Sequence, residues 1–299
     1  MPMTAKQLLQ LRLHNQQIAA TEFKKPQEIV HWMGAMQAQD NPGAKWSVGL
    51  RLPGSTDSDI DSAINRARIV RTWTQRGTLH YMASQDVRWM LDLLAPRVLK
   101  SFSTQLRRSE LDTALLKKCM KLLEKGMEGG LSLTRPEIKQ LLESKKITTK
   151  DRLNYILVYA SLEQLICHGP KTGNEFAFVL MDEWVRPAKK ITNEEAMVQL
   201  AERYFTSHGP ASLQDFIWWI GGTIKEATAA LKAIEHKLEC VMVNGVAYYF
   251  KDHGTGKGNG VYLLPGFDEY MLGYKDRSLA LADEHNKKVT GAANGLFAA

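Results

Sequence analysis

Two glutamines one residue apart, in the run Gln37-Ala38-Gln39-Asp40, carry the most informative polar pattern in the chain. A neutral amide is too weak to serve as a general base. Each one nevertheless offers an acceptor and two donors, which is enough to hold a water molecule. Such a pair suits hydrolysis of a bond with a good leaving group and a cationic transition state, where a positioned water matters more than a strong base. On a continuing helix, residues i and i+2 point about 200° apart. Convergence therefore requires the helix carrying them to end at Asn41-Pro42-Gly43, so that a frayed last turn turns both amides into one cavity. The alternative is an ordinary polar helix terminus.

A second pattern is Arg71-Thr72-Trp73 followed by Arg76-Gly77-Thr78-Leu79-His80. Alternating guanidinium and aromatic groups on a short hairpin suit phosphate contact and base stacking. A half-buried sheet with a solvated edge gives the same pattern. The acidic group Asp268, Glu269 and Asp276 offers a general base, or equally helix caps and partners for Lys275 and Arg277. Other chemistries find little support. His236 and Cys240 lack a second pair at zinc spacing, and no GxSxG nucleophile elbow occurs. The glycine-rich run from His253 to Gly260 lacks the P-loop pattern and reads as a loop. No metal and no cofactor are expected.

These residues need elements to position them, and helical periodicity dominates. Residues 5–20 read as an amphipathic helix, and a second starts at Pro26 and runs toward Asn41. A third covers Asp57 to Ala67, followed by the β-prone runs Ile69–Thr74 and Thr78–Met82. Helices are then expected over 86–100, 110–127, 134–144 and Arg152–Ile166. A turn at Gly169–Asn174 leads into a strand from Glu175 to Met181. Thr192 and Ser212 are N-cap signatures, and Ile224–Ile234 is another helix. Asn244-Gly245 between Cys240–Val243 and Val246–Phe250 is a strong two-residue hairpin signal. The pattern predicts a mainly α chain with small β hairpins, an α+β fold. It comprises three tandem helix-helix-helix-hairpin units over 1–85, 86–190 and 191–253, and a C-terminal segment over 254–299.

Composition sets the class. Of 299 residues 44% are apolar and 24% charged, the balance of a globular chain rather than a disordered or fibrous one. Three scattered cysteines (Cys119, Cys167, Cys240) form neither a disulfide framework nor a metal pair, pointing to a reducing compartment. The start lacks a signal-peptide core, and no apolar run approaches the roughly 20 residues that span a bilayer. A cytoplasmic protein is expected. The net charge of +7 resides in one stretch. Between Arg66 and Arg108 lie nine basic residues, including Arg66, Arg68, Arg71 and Arg76, against only Asp86 and Asp92. Such a concentration suggests a phosphate-bearing partner.

Taken together, Met36–Asp40, Val70–Trp73, Arg76–His80, Leu91–Arg97, Gly209–Ser212, Trp218-Trp219, Leu264–Tyr270 and Gly273–Arg277 resemble the winged-helix DNA-binding family of bacterial AlkZ- and YcaQ-type DNA glycosylases. The resemblance implies three tandem winged helices in a C shape with a small β-rich C-terminal part. It implies hydrolysis of the N-glycosidic bond of bulky or cross-linking N7-alkylguanine, without a metal. The family motif is glutamine, any residue, then glutamine or aspartate; Gln37-Ala38-Gln39 puts this chain on the AlkZ-like side. The expected catalytic residues are thus Gln37 and Gln39. The expected DNA contacts are Arg66, Arg68, Arg71, Arg76, His80 and the Asn244-Gly245 hairpin. The expected partner is duplex DNA carrying alkylated guanine, bound by a monomer associated with the nucleoid. Family members commonly continue beyond the Gly295–Phe297 region, so a closing hairpin is expected to be missing. A non-catalytic winged-helix DNA-binding protein, a regulator or damage-binding factor, is the alternative.

Overall fold

The computed structural model describes residues 3–172, 175–188, 190–251 and 260–289. The fold is α+β. In chain order, α1 (Ala5–Asn15), α2 (Pro26–Met33), the two-residue strand β1 (Met36–Gln37), α3 (Asn41–Leu50) and α4 (Asp57–Asn65) come first. They are followed by β2 (Ile69–Trp73), β3 (Leu79–Ala83), α5 (Val87–Arg108), α6 (Thr113–Met127), α7 (Arg135–Ser144) and α8 (Leu153–Leu162). Next come β4 (Ile166–Thr172), β5 (Glu175–Leu180), α9 (Met181–Trp184), α10 (Asn193–Ser207), α11 (Leu213–Ile220) and α12 (Ile224–Ile234). The hairpin β6 (Glu239–Val243) and β7 (Val246–Phe250) and the short helices α13 (Glu269–Leu272) and α14 (Asp283–Val289) complete the order.

Two compact units form. One joins the chain up to Ile60 with the segment from Thr192 onward; the other is Asp61–Ile191. In the second unit the antiparallel strand order is β3-β2-β4-β5, with Arg71 opposite His168 and a register shift between His168 and Lys171. The first unit holds the β6-β7 hairpin, in which Val243 pairs with Val246 around Asn244 and Gly245. Both turn residues have positive φ, 50° and 78°, as a two-residue hairpin turn of that hand requires. The order of three helices and a hairpin recurs in α6-α7-α8-β4-β5 and in α10-α11-α12-β6-β7.

Local rules locate most elements and miss some of their ends. Thr192, Ser212 and Thr223 each cap a helix through a reciprocal box with Glu195, Asp215 and Glu226. The first helix stops at Asn15, five residues short of the expected end, because Gln17 adopts φ 62°. The helix over 86–100 instead continues through Pro96 to Arg108. The expected turn at 169–174 is strand through Thr172, and residues 173–174 lie outside the described residues. In the C-terminal segment, expected to be β-rich, the described residues form α13 and α14 and no strand. Most of the glycine-rich run and the last ten residues lie outside the described residues.

Asn41-Pro42-Gly43 departs most from the expected arrangement. The helix from Pro26 ends at Met33, where Gly34 takes φ 80°. Asn41-Pro42-Gly43 then opens α3 rather than closing α2. Asp40 is its N-cap, its Oδ2 accepting the Gly43 N–H at 3.2 Å, and Pro42 fits the first turn with its fixed φ. Gly43 is needed for that contact, since a Cβ there would lie 2.5 Å from Asp40 Oδ2. Replacing Asp40 by Ala should destabilise the chain by about 1 kcal/mol, read as a lower urea midpoint, while Asp40→Asn keeps most of it. Equal loss in both variants would refute the capping role.

Candidate active site

Gln37 and Gln39 therefore leave the backbone from the non-helical connection between Gly34 and α3, not from a frayed helix. Strand β1 ends at Gln37 and the chain bends at Gln39 and Asp40, so strand alternation does not fix the two side chains on one side. Gln37 is 8% exposed and Gln39 lies at the surface. Among the described residues the Gln37 side-chain amide has no hydrogen-bond partner, so its acceptor and donors remain available.

The backbone of Gln37 is held instead. Its N–H donates to Glu269 Oε1 at 3.0 Å, while Glu269 Oε2 accepts the indole N–H of Trp219, also at 3.0 Å. His208 Nε2 lies 3.5 Å from Oε2. Burial holds the His208 pKa below its ordinary value against the opposing pull of Glu269, so the ring is neutral near neutral pH. Glu269 is fully buried, and Trp219 and His208 reach it from α11 and the end of α10.

Its neighbour Asp268 forms a second anchor. Arg51 donates from both terminal nitrogens to the two Asp268 oxygens, at 2.7 and 2.8 Å, with both residues fully buried. Ser47 Oγ donates to Asp268 Oδ2 at 2.5 Å, and Asp268 Oδ1 accepts the Tyr270 N–H at the start of α13. Arg51 also reaches Gln16 Oε1 at 2.7 Å, and Gln16 Nε2 donates to the Tyr274 hydroxyl at 2.9 Å. Asp268 and Glu269 are thus anchored by residues other than Lys275 and Arg277, the partners that sequence proximity suggested. Asp276 accepts the Ser278 N–H, and Arg277 donates to the Met271 carbonyl. Sequence reasoning could not supply these partners: Gln37, Ser47 and Arg51 lie more than 200 residues away, and Trp219 lies 50 away. The available signal was the adjacent Asp268-Glu269 pair itself, flanked by apolar and glycine residues.

The basic stretch belongs to the second unit and is not one continuous charged face. Arg66 and Arg68 are exposed, and Arg76 is half-buried in a tight turn at φ 56°. Arg71 is only 7% exposed; its guanidinium sits over the Phe176 ring and Nη1 lies 3.4 Å from His168 Nε2. His80 is fully buried, with Nδ1 donating to the Thr78 carbonyl at 3.0 Å and Nε2 3.3 Å from the Gln75 amide. Arg88 pairs with Asp182 and two backbone carbonyls of α9 and its end, a structural role. Asn244 and Gly245 form the exposed tip of their hairpin in the first unit. No three His, Cys, Asp or Glu side chains converge as a metal site among the described residues. Burial pushes the Cys167 thiol up to about 12, far from a nucleophilic thiolate. No helix among the described residues is long and apolar enough to cross a membrane.

The buried Arg51–Asp268 pair yields a test. Asp268→Asn leaves a buried guanidinium short of its countercharge and should cost about 3–5 kcal/mol. The double change Arg51→Met with Asp268→Leu should recover part of that loss in the same denaturation experiment. A single variant as stable as the parent would remove the pair from its anchoring role.

Comparison with known proteins places these observations in a family. A family model described as DNA glycosylase AlkZ-like matches residues 30–297. A protein named interstrand DNA cross-link repair glycosylase, from Streptomyces sahachiroi, is 25% identical over 313 aligned positions, covering 97% of this chain and 83% of the relative. The solved structure of Streptomyces sahachiroi DNA glycosylase AlkZ is similar with a TM-score of 0.82 and 22% identity, over 99% of this chain and 84% of that one.

Proposed function

The chain belongs to the AlkZ-like family of DNA glycosylases, and from that premise we propose that it hydrolyses the N-glycosidic bond of N7-alkylated guanine in duplex DNA, including cross-linked guanine. Gln37 and Gln39 hold the attacking water. The observation carrying this reading is the Gln37 amide, mostly buried and without a partner among the described residues, on a backbone clamped by Glu269. The relative's name, a cross-link repair glycosylase, favours cross-linked substrates over small adducts alone.

The chemistry asks little of the protein as a base. N7-alkylation gives guanine a positive charge, so breaking the bond from C1′ to N9 returns the electron pair to a cationic purine, which leaves neutral. The sugar gains oxocarbenium character as water oxygen bonds to C1′, and the water's proton passes to solvent. Amide oxygens of Gln37 and Gln39 orient that water and set their dipoles toward the cationic sugar. Glu269 acts one step removed, as a positioning residue fixing the Gln37 peptide. Asp40 is occupied as the α3 cap. The nearby Lys45 is buried and paired with Asp57 at 2.8 Å, so an amine-based lyase step is not proposed and the enzyme is monofunctional.

For DNA contact, the exposed Arg66, Arg68, Asn244 and Gly245 and the half-buried Arg76 are proposed to meet phosphates and the groove. Arg71 and His80 contribute from buried positions, His80 by bracing the turn that presents Arg76. The three-helix and hairpin order supports winged-helix boundaries near 1–85, 86–190 and 191–253. A monomer in the cytoplasm completes the proposal.

Gln37→Ala with Gln39→Ala should abolish release of N7-methylguanine and of a nitrogen-mustard cross-linked base, with DNA affinity within about threefold of the parent. Full activity in the double variant would sink the water-holding role. Absence of release by the parent from every lesion duplex would favour a non-catalytic DNA-binding protein. Glu269→Gln should slow single-turnover release about tenfold, a size typical of lost positioning. Added to Gln37→Ala, it should bring little further loss. Additive losses would mean that Glu269 acts on stability and not through Gln37.

A further inference from the structure

A cavity of about 610 Å³ in the second unit lies between the β4-β5 hairpin and the start of α7, lined among others by Arg71, Arg135, Lys139, His168, Glu175 and Phe176. We propose that it seats a phosphate of a nucleic-acid strand, with the attached nucleotide against the Phe176 ring. This rests on the reading of the chain as a DNA-acting protein and deepens it. It adds Arg135 and Lys139, which the sequence pattern did not single out, and gives Arg71 a defined task.

The floor of the cavity is built. Arg71 and His168 face each other across β2 and β4. His168 Nδ1 lies 3.2 Å from the Arg71 carbonyl, so it carries the proton, and Nε2 is left to accept from Arg71 Nη1 at 3.4 Å. One ring thus holds both the peptide and the guanidinium of the same arginine. Phe176 completes the support, its ring centroid 4.6 Å from the guanidinium carbon. Trp73 and Phe178 pack on His168 in turn, with centroids 5.3 and 4.5 Å away. The arginine therefore keeps its orientation before any ligand arrives, which lowers the entropy cost of binding.

The rim supplies two further cations on the first turns of α7, about one turn apart. Arg135 and Lys139 are both exposed, and Arg135 donates to Asn154 Oδ1 at 3.5 Å. Against these three cations the lining holds one carboxylate among the described residues, Glu175. Burial and the charges of Arg71 and Arg135 both drive the proton off His168, so the ring stays neutral and the positive potential comes from the guanidinium and ammonium groups. An anion is the ligand this field selects. The apolar walls from Phe176, Phe178 and Leu153 suit a nucleotide more than a bare ion.

The test measures binding of the full chain to an undamaged fluorescent duplex across a salt series, separately from base release. Arg135→Ala with Lys139→Ala should weaken binding about tenfold and lower the slope of log affinity against log salt by about 1. Arg135→Lys with Lys139→Arg should restore most of both. Lys117→Ala, an exposed α6 lysine outside the cavity, serves as the control and should change neither. Duplex affinity and slope equal to the parent in the double alanine variant would overturn the proposal. So would calorimetric binding of inorganic phosphate or deoxyadenosine monophosphate by the parent, lost in that variant, with duplex affinity unchanged. The ligand would then be a free phosphate compound and not a strand. If the parent releases no base from any lesion, the glycosylase reading fails while the duplex-binding readout stands.

Discussion

The bond from the Gln37 N–H to the buried carboxylate of Glu269 is the constraint around which the first unit is arranged. A hydrolysis that relies on neutral amides draws its rate from dipoles held in place before the reaction, because no strong base compensates for a misplaced water. A buried carboxylate is costly to desolvate, and this one is retained by donors from two other elements, Trp219 and the Gln37 peptide itself. Asp268, the residue before it, meets Arg51 in a fork of two short bonds, and that fork fixes where α13 begins. The two carboxylates divide the work: one ties the C-terminal segment to α3, the other ties it to the motif. Both depend on donors that only the folded chain brings together.

How far the sequence discloses such a site depends on the range of the interaction. Caps, boxes and the Asn244-Gly245 hairpin are written within four residues and are read correctly from types and spacing. Asn41-Pro42-Gly43 is also local, yet it is ambiguous, since proline both terminates a helix and favours the first turn of the next. Gly34 settles the matter: its positive φ ends α2 seven residues before Asn41 and leaves the motif outside any helix. The pair Gln37 and Gln39 was legible as a motif but not as a geometry. Glu269 was legible as a carboxylate but not as the partner of Gln37, because 232 residues separate them.

Charge shows the same limit. The concentration of basic residues from Arg66 to Arg108 is a property of the sequence, but its meaning is settled residue by residue. Arg88 is consumed by Asp182 and backbone carbonyls, Arg71 is turned inward over Phe176, and Arg66 and Arg68 remain on the surface. Strand alternation alone would have put Arg71 on one face of a hairpin. What it could not show is that β4 adds to β2 and covers that face with His168. A buried arginine needs such a neighbour, neutral and accepting, and a histidine whose proton is driven off by burial and by two guanidinium groups is well suited.

The start of α3 also bears on the electrostatics of the proposed reaction. The start of a helix carries a partial positive charge from its unpaired N–H groups. With the motif placed just before α3, that charge would oppose a sugar gaining cationic character, the reverse of what a helix end carrying Gln37 and Gln39 would have done. Asp40 offsets it by taking up the Gly43 N–H through a carboxylate oxygen at the helix start. On the proposed mechanism a cap would therefore have a catalytic consequence without touching the substrate: it would let neutral amides face a cation from a position that an uncapped helix would make unfavourable.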